Sequence, residues 1–167
     1  MVKQAGLPEV AVQEVFNKDA QNSLKVMRRP FPSECKTTRE SLRTKSLNLY
    51  HPVKRLQTQD KIQIVHQTLR HSSKIYSMNL GSVTWDRVKV EHFRLLLDRQ
   101  LSELEECVRK PGSNLRRNSA IHNYFRKLEK FLNQEGFSDC AWEIIRTDAR
   151  ARLQQLLFIT AQISRRN

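Results

Sequence analysis

Residues 137–146 encode a turn followed by the start of a long helix, and they read Phe137-Ser138-Asp139-Cys140-Ala141-Trp142-Glu143-Ile144-Ile145-Arg146. Either Ser138 or Asp139 can cap this helix, because a short side-chain oxygen accepts a hydrogen bond from an otherwise free backbone N–H. Apolar residues then recur at helical spacing and predict a helix over 139–164. Its inner side is formed by Ala141, Ile144, Ile145, Ala149, Leu153, Leu156, Leu157 and Ile163. We expect Trp142, one turn into this helix, to lie in the core.

The same periodicity predicts four more helices upstream. Their bounds are about 10–27, 55–77, 84–109 and 117–133. Thr84 can cap the third of these. A long polar and basic crossover, about 28–53, separates the first two helices and has Pro52 near its far end. Because so long a connection lets neighbouring helices run parallel, we predict an all-α fold: a five-helix bundle with a four-helix-bundle core and a long crossover loop, in one domain over 1–167.

Composition restricts the classes of function. The chain has 167 residues and a formal net charge of +13, and no run of apolar residues approaches the length of a membrane span. None of the short motifs typical of hydrolase nucleophiles, zinc proteases or nucleotide-binding loops occurs. The histidines are scattered, at His51, His66, His71, His92 and His122. The sequence therefore predicts a protein without catalysis, metal or cofactor.

The excess of positive charge points toward anionic partners. Basic residues concentrate in 25–55 and again in 109–130. No nucleic-acid recognition motif is present, and the aromatic residues, 7% of the chain, do not alternate with basic ones as a base-stacking platform requires. Specific DNA or RNA binding is therefore disfavoured. Attraction to sulfated glycans or anionic membranes, and a merely solvated basic surface, both stay open.

The chain has three cysteines, Cys35, Cys107 and Cys140, with no spacing typical of a zinc site. In an intracellular protein all three would be free thiols, whereas a secreted protein would pair two and leave one. Cys35 in the crossover and Cys140 at the helix start are placed as a pair that could join a loop to a helix. The N-terminus has no apolar signal core, so a secreted protein would be present here in its processed form.

Several stretches together resemble one protein family. Residues 124–128, Tyr-Phe-Arg-Lys-Leu, lead through 137–139 into Cys140-Ala141-Trp142-Glu143, and this order resembles the C-terminal signature of type I interferons. Further matches in family order lie at 31–35, 84–86 and 101–107. The first of these, Phe31-Pro32-Ser33-Glu34-Cys35, favours the kappa type of interferon. The alternative is another, non-mammalian type I interferon.

The resemblance implies a monomeric, secreted five-helix cytokine that binds a heterodimeric, two-chain cell-surface receptor and triggers antiviral JAK–STAT signalling. It implies a disulfide between Cys35 and Cys140. Cys107 matches a cysteine whose family partner lies at the N-terminus, where this sequence has none, so Cys107 is expected either to be a free thiol or to have lost its partner. The alternative function is a basic helical protein that binds polyanions or membranes directly, as an antimicrobial or glycan-retained factor.

The resemblance also assigns two receptor faces. The high-affinity receptor chain would contact arginines of the crossover and the last helix, namely Arg39, Arg146, Arg150 and Arg152. The second receptor chain would contact the helices between them, through Lys74, Arg94, Asp98 and His122. Arginine is common among the residues that dominate interface energies. We therefore expect Arg146→Ala to weaken receptor binding severalfold and to leave thermal stability nearly unchanged.

Overall fold

The structure, a computed structural model, describes residues 10–27, 32–40, 42, 49, 57–108 and 118–165. Within these residues it contains α-helices, one short 3₁₀ turn at Ser33–Cys35 and no strand. The helices are α1 (Val10–Val26), α2 (Lys36–Glu40), α3 (Thr58–Ile75), α4 (Arg87–Val108), α5 (Ser119–Gln134) and α6 (Asp139–Arg165). The predicted all-α class is confirmed.

The five long helices begin and end within three residues of their predicted bounds. The predicted terminal residues 55, 109 and 117 lie outside the described part of the chain. Helix α4 begins later than predicted because Asp86, not Thr84, caps it. The Oδ1 atom of Asp86 accepts hydrogen bonds from the backbone N–H groups of Val88 and Lys89, at 2.9 and 3.2 Å. A carboxylate at this position also complements the positive end of the helix dipole.

The crossover contains more regular structure than the sequence predicts. After Pro32, the turn at Ser33–Cys35 leads directly into α2, and the Cys35 N–H donates to the Pro32 carbonyl at 3.0 Å. A helix of five residues is not stable alone, since helix formation has a costly nucleus. Here the turn and α2 both pack against α6. Tertiary contact therefore orders a segment that has no helical periodicity of its own.

A tight turn between α5 and α6 sets the direction in which α6 begins. Gly136 and Phe137 both have left-handed backbone, with φ of 63° and 54°. Glycine adopts this conformation without steric cost, whereas Phe137 is held in it: its N–H donates to the Leu132 carbonyl at 2.9 Å, and its ring packs against the core. Ser138 then caps α6, because its Oγ accepts from the Ala141 N–H at 3.2 Å.

The core is centred on four aromatic rings. Helix α1 packs against α4 and α6, and α3 packs against α4, α5 and α6. The ring of Tyr76 lies 4.9 Å from Phe93 and 5.6 Å from Trp142, and Trp85 lies 6.0 Å from Trp142. Trp142 is fully buried, as predicted, and its indole N–H donates to the Asn79 carbonyl at 2.8 Å. The aromatic cluster therefore joins α3, α4 and α6.

Helix α1 is held against its neighbours by buried amide side chains. Gln13 Nε2 donates to the Gln100 carbonyl of α4, and Asn17 Nδ2 donates to the Leu153 carbonyl of α6, both at 3.0 Å. Buried polar groups need such partners, because an unpaired one loses its hydrogen bonds to water. The register of α1 is thus fixed by directional bonds to both helices that flank it.

Candidate functional site

A disulfide joins the crossover to α6. The Sγ atoms of Cys35 and Cys140 are bonded, 2.12 Å apart, and the bridge encloses a sequence separation of 105. The structure thus contains the pairing that the family resemblance implies. The disulfide places α2, which carries the exposed Arg39, along the first part of α6.

Asp148 lies where α2 meets α6 and is in an unfavourable environment. Burial raises the pKa of its carboxyl above the ordinary value, and the nearby positive charges of Arg152 and Arg39 offset this only in part. Its Oδ2 atom is buried and accepts no hydrogen bond from the described residues. A carboxyl whose pKa is raised by folding binds a proton more readily in the folded state than in the unfolded state. As pH rises through the raised pKa, this carboxyl ionises in the folded protein, and the buried charge then destabilises the fold.

Asp148→Asn is therefore expected to raise the free energy of unfolding at pH 7 by about 1 kcal/mol, because it removes a charge whose burial the nearby arginines offset only in part. The gain should shrink as pH falls through the raised pKa of the folded state, and it should vanish below the ordinary aspartate pKa of about 3.9, where both states of the parent are protonated. Urea unfolding at a series of pH values measures this. Asp19→Asn, on the exposed surface of α1, is the control and should leave the free energy of unfolding near that of the parent. A loss of stability in Asp148→Asn at pH 7 would contradict the prediction.

Arg146 lies in the interior, so the prediction that it forms part of an exposed docking patch is wrong. The residue is 4% exposed. Its Nε donates to Glu143 Oε2 at 2.7 Å, and its Nη1 donates to the Leu24 carbonyl at the end of α1, also at 2.7 Å. A guanidinium can be buried when its donors meet a carboxylate and a carbonyl in this way.

Glu143 and Trp85 complete this buried network. Glu143 is fully buried, and its Oε1 accepts from the Trp85 indole N–H at 3.0 Å. The network therefore connects α6 to the end of α1 and to the segment before α4. Sequence reasoning gave neither Glu143 nor Trp85 a role. The available signal was the spacing of Glu143 and Arg146, since residues three apart on a helix can pair.

Arg152 is also an interior residue, and its predicted place on the docking face is wrong for the same reason. It is 3% exposed, and its guanidinium carbon lies 5.5 Å from the centre of the Tyr124 ring on α5. Arg150 is half-buried and Arg39 is exposed. Of the arginines assigned to the high-affinity face, Arg39 and Arg150 are therefore the two with substantial access to solvent.

Two residues predicted for the second face lie on the outer side of α3 and its neighbours. Lys74 on α3 forms an ion pair with Glu129 on α5, with Nζ and Oε1 3.3 Å apart. Asp98 on α4 accepts a hydrogen bond from Ser73 Oγ at 3.4 Å. Because Ser73 and Lys74 are adjacent, α3 connects both helices at this point.

His122 lies on the same α3–α5 boundary, whereas Arg94 is local to α4. The ring of His122 meets His71 edge-on, with centroids 5.7 Å apart, and His71 stacks on Phe125 at 5.1 Å. Burial lowers the pKa of His71, and the neighbouring His122 and Lys74 lower it further, so the neutral form of the imidazole is favoured. Arg94 pairs with Glu91, one turn earlier on α4, at 3.4 Å.

The described residues contain no group of three or more His, Cys, Asp or Glu side chains that could hold a metal ion. Among them, no helix combines the length and apolar character needed to span a membrane. The side chain of Cys107 lies outside the described part of the structure, so its free thiol stays a prediction.

A family model described as the interferon alpha/beta domain matches residues 11–163. The chain belongs to the type I interferon family. This match covers the bundle from α1 to α6, including the Cys35–Cys140 bridge and the buried Glu143–Arg146 pair. The family predicted from residues 124–146 is confirmed.

Relatives of this interferon are found in fish and cattle. Interferon a3 of Oncorhynchus mykiss is 34% identical over 120 residues, which are 70% of this chain and 65% of that protein, slightly less than two thirds of its length. Interferon alpha-1 of Bos taurus is 29% identical over 130 residues, 74% of this chain and 68% of the bovine one. The kappa type is not among these names, so that leaning stays a prediction.

Solved interferon structures share the fold. Zebrafish interferon 1 superposes with a TM-score of 0.68 at 26% identity, over 92% of this chain and 97% of that one. Zebrafish interferon 2 superposes with a TM-score of 0.69 at 20% identity, over 86% and 96%. The observed architecture is therefore a helical cytokine bundle of the interferon type.

Proposed function

We propose that this interferon is a secreted cytokine that binds a two-chain cell-surface receptor and so triggers antiviral JAK–STAT signalling. The observation that carries the proposal is the match of the interferon alpha/beta domain to residues 11–163, and the likeness to zebrafish interferon 1 supports it. Such a protein acts by binding alone. Its surfaces bring two receptor chains together, and no reactive group is needed.

The high-affinity receptor chain is proposed to dock on the outer surface of α6 beside the crossover. Arg39 lies near Asp148 of α6. The side chains at positions 148 and 150 of an α-helix point about 200° apart around its axis. Arg39 and Arg150 therefore border α6 from opposite sides. The strip between them is uncharged and includes Thr147, Ala151, Gln154 and the exposed Phe158. A neutral strip with a guanidinium at each edge suits a partner whose carboxylates can pair with both arginines.

The second receptor chain is proposed to contact the side of the bundle formed by α3, α4 and α5, through Lys74, Arg94, Asp98 and His122. This surface carries charges of both signs, each with a partner on the protein. Charge complementarity of this kind gives specificity and association rate more than raw affinity. The receptor chain bound here would therefore be selected by its charge pattern.

Arg39→Ala and Arg150→Ala are each expected to weaken binding to the high-affinity receptor ectodomain about tenfold, the effect of truncating an arginine that anchors an interface. Their melting temperatures should stay near that of the parent, because neither side chain is part of the core. Arg87→Ala, exposed at the start of α4, is the matched control and should bind like the parent. Biosensor titrations with trout and zebrafish receptor ectodomains measure the affinities. Equal affinity for all three variants would contradict the proposed face.

Signalling is tested with an interferon-responsive reporter in fish and bovine cells. The purified protein should induce transcription, and deletion of either receptor chain should abolish the response. Higher salt should weaken receptor binding only in part, whereas a protein that binds polyanions directly loses affinity steeply. Absence of induction across the panel at saturating protein would refute the proposed function.

A further inference from the structure

The solvent-exposed face of α5 carries charge of one sign. Its exposed positions are Ser119, Ala120, Asn123, Arg126, Lys127, Lys130, Asn133 and Gln134. Arg126, Lys127 and Lys130 give this face three positive charges, and no carboxylate lies among the exposed positions. The acidic residue on this side of α5 is Glu129, which is directed to Lys74 on α3.

The three cations are close together and available. Arg126 and Lys130 are one turn apart, with an axial rise of about 6 Å, and Lys127 lies next to Arg126 around the helix. None of the three forms an ion pair with a carboxylate in the described ranges. Their charges are therefore not paired within the described part of the chain.

The exposed surfaces of α1 and α4 carry charges of both signs. On α1 the exposed lysines Lys18 and Lys25 are accompanied by Asp19, and on α4 the exposed Arg87 and Lys89 are followed by Glu91 and Asp98. Neighbouring charges of opposite sign weaken the local electrostatic potential. The exposed charges of α5, which are all positive, therefore differ from the mixed charges of α1 and α4.

We propose that Arg126, Lys127 and Lys130 form a binding site for a sulfated glycosaminoglycan. Sulfate groups accept charge-assisted hydrogen bonds from guanidinium and ammonium groups. The neighbouring Asn123 and Asn133 can bond sugar hydroxyls, since amides both donate and accept. Such a site would retain a secreted interferon at cell surfaces, and its binding to the glycan does not rest on the proposed receptor function.

The same face argues against two other anionic partners. Nucleic-acid surfaces that hold single strands combine cations with exposed aromatic rings for base stacking, and the rings of α5, Tyr124, Phe125 and Phe131, are buried. An interfacial membrane helix inserts large apolar side chains beside its cations, and the apolar member of the exposed set on α5 is a single alanine, Ala120. Sulfated sugar, which needs charge and hydrogen bonds alone, fits the face best.

The test compares two triple variants with equal loss of charge. Arg126→Gln/Lys127→Gln/Lys130→Gln removes the α5 patch, and Lys18→Gln/Lys25→Gln/Arg87→Gln removes three exposed cations from mixed surfaces. Binding of a defined heparin dodecasaccharide is titrated at several salt concentrations, and circular dichroism confirms that both variants are folded. The α5 variant should bind at least about tenfold more weakly and lower the salt slope of log K by roughly 2 to 3, while the control should change less than about threefold.

Five outcomes would overturn the proposal. An equal loss of heparin affinity in both triple variants would show that heparin is attracted by net charge and not by a specific site. Unchanged heparin affinity of the α5 variant would show that the binding site lies elsewhere. Equal affinity of the parent for desulfated heparin, or tighter binding to single-stranded DNA or to anionic phosphatidylserine vesicles at the same salt, would assign the face to another ligand. Receptor binding is measured in a separate experiment, so failure of the α5 patch to bind heparin would not contradict the proposed receptor faces.

Discussion

Replacing Arg146 with alanine is expected to lower the free energy of unfolding by about 3–5 kcal/mol, the usual cost of removing one partner from a buried ion pair. The variant would leave the Glu143 carboxylate, which is fully buried, without its cation 2.7 Å away. It would also leave the Leu24 carbonyl without the donor that binds it. The sequence alone predicts nearly unchanged stability, and burial of the side chain reverses that expectation.

Two further variants separate the charge effect from the loss of packing. Glu143→Gln/Arg146→Met removes both charges, keeps an Oε1 acceptor for Trp85 and fills a similar volume, so it should recover at least half of the loss. Arg150→Ala, half-buried on the same helix, should cost less than about 1 kcal/mol. Urea unfolding midpoints measure all three. A stability of Arg146→Ala within about 0.5 kcal/mol of the parent would mean that the network contributes nothing.

The long helices could be predicted because each repeats apolar residues over four or more turns. That periodicity depends on nearby residues alone, and it locates helices such as α4 and α6 to within three residues. The five-residue α2 is too short to show a period, and its helical form depends on packing against α6. The cap of α4 was misplaced because Thr84 and Asp86 are both good capping residues and the choice between them depends on tertiary contact.

The candidate site was harder to predict, because burial of a charged residue depends on remote partners. Arg146 follows Trp142 by four residues and precedes Leu153 by seven, and both are buried, so its position on the inner side could be read from the sequence. Its partner in α1, the Leu24 carbonyl, lies 122 residues away, and Trp85 lies 58 residues from Glu143. No local pattern reveals such contacts, whereas the Cys35–Cys140 pairing came from the family resemblance.

Removing the bridge with Cys35→Ala/Cys140→Ala is expected to lower the free energy of unfolding by about 4–5 kcal/mol. The crosslink spans a sequence separation of 105, and a loop of that size gains much conformational entropy in the unfolded chain once it is opened. Alanine is chosen because Cys35 is fully buried, and serine would add an unsatisfied hydroxyl there. Chemical unfolding gives the loss, and hydrogen exchange should show that residues 33–40 lose protection first.

The bridged protein and the Cys35→Ala/Cys140→Ala variant both carry Cys107→Ala in this experiment. The difference between their free energies of unfolding then reports the Cys35–Cys140 bridge alone. Adding reductant to the bridged protein should reproduce the loss, and adding it to the double variant should change nothing. Receptor affinity should fall as well, because Arg39 is held along α6 by the segment that Cys35 anchors. Alkylation of both Cys35 and Cys140 in the native, unreduced protein would show that the bridge does not form, and a loss below about 1 kcal/mol would show that packing of α2 against α6 suffices without it.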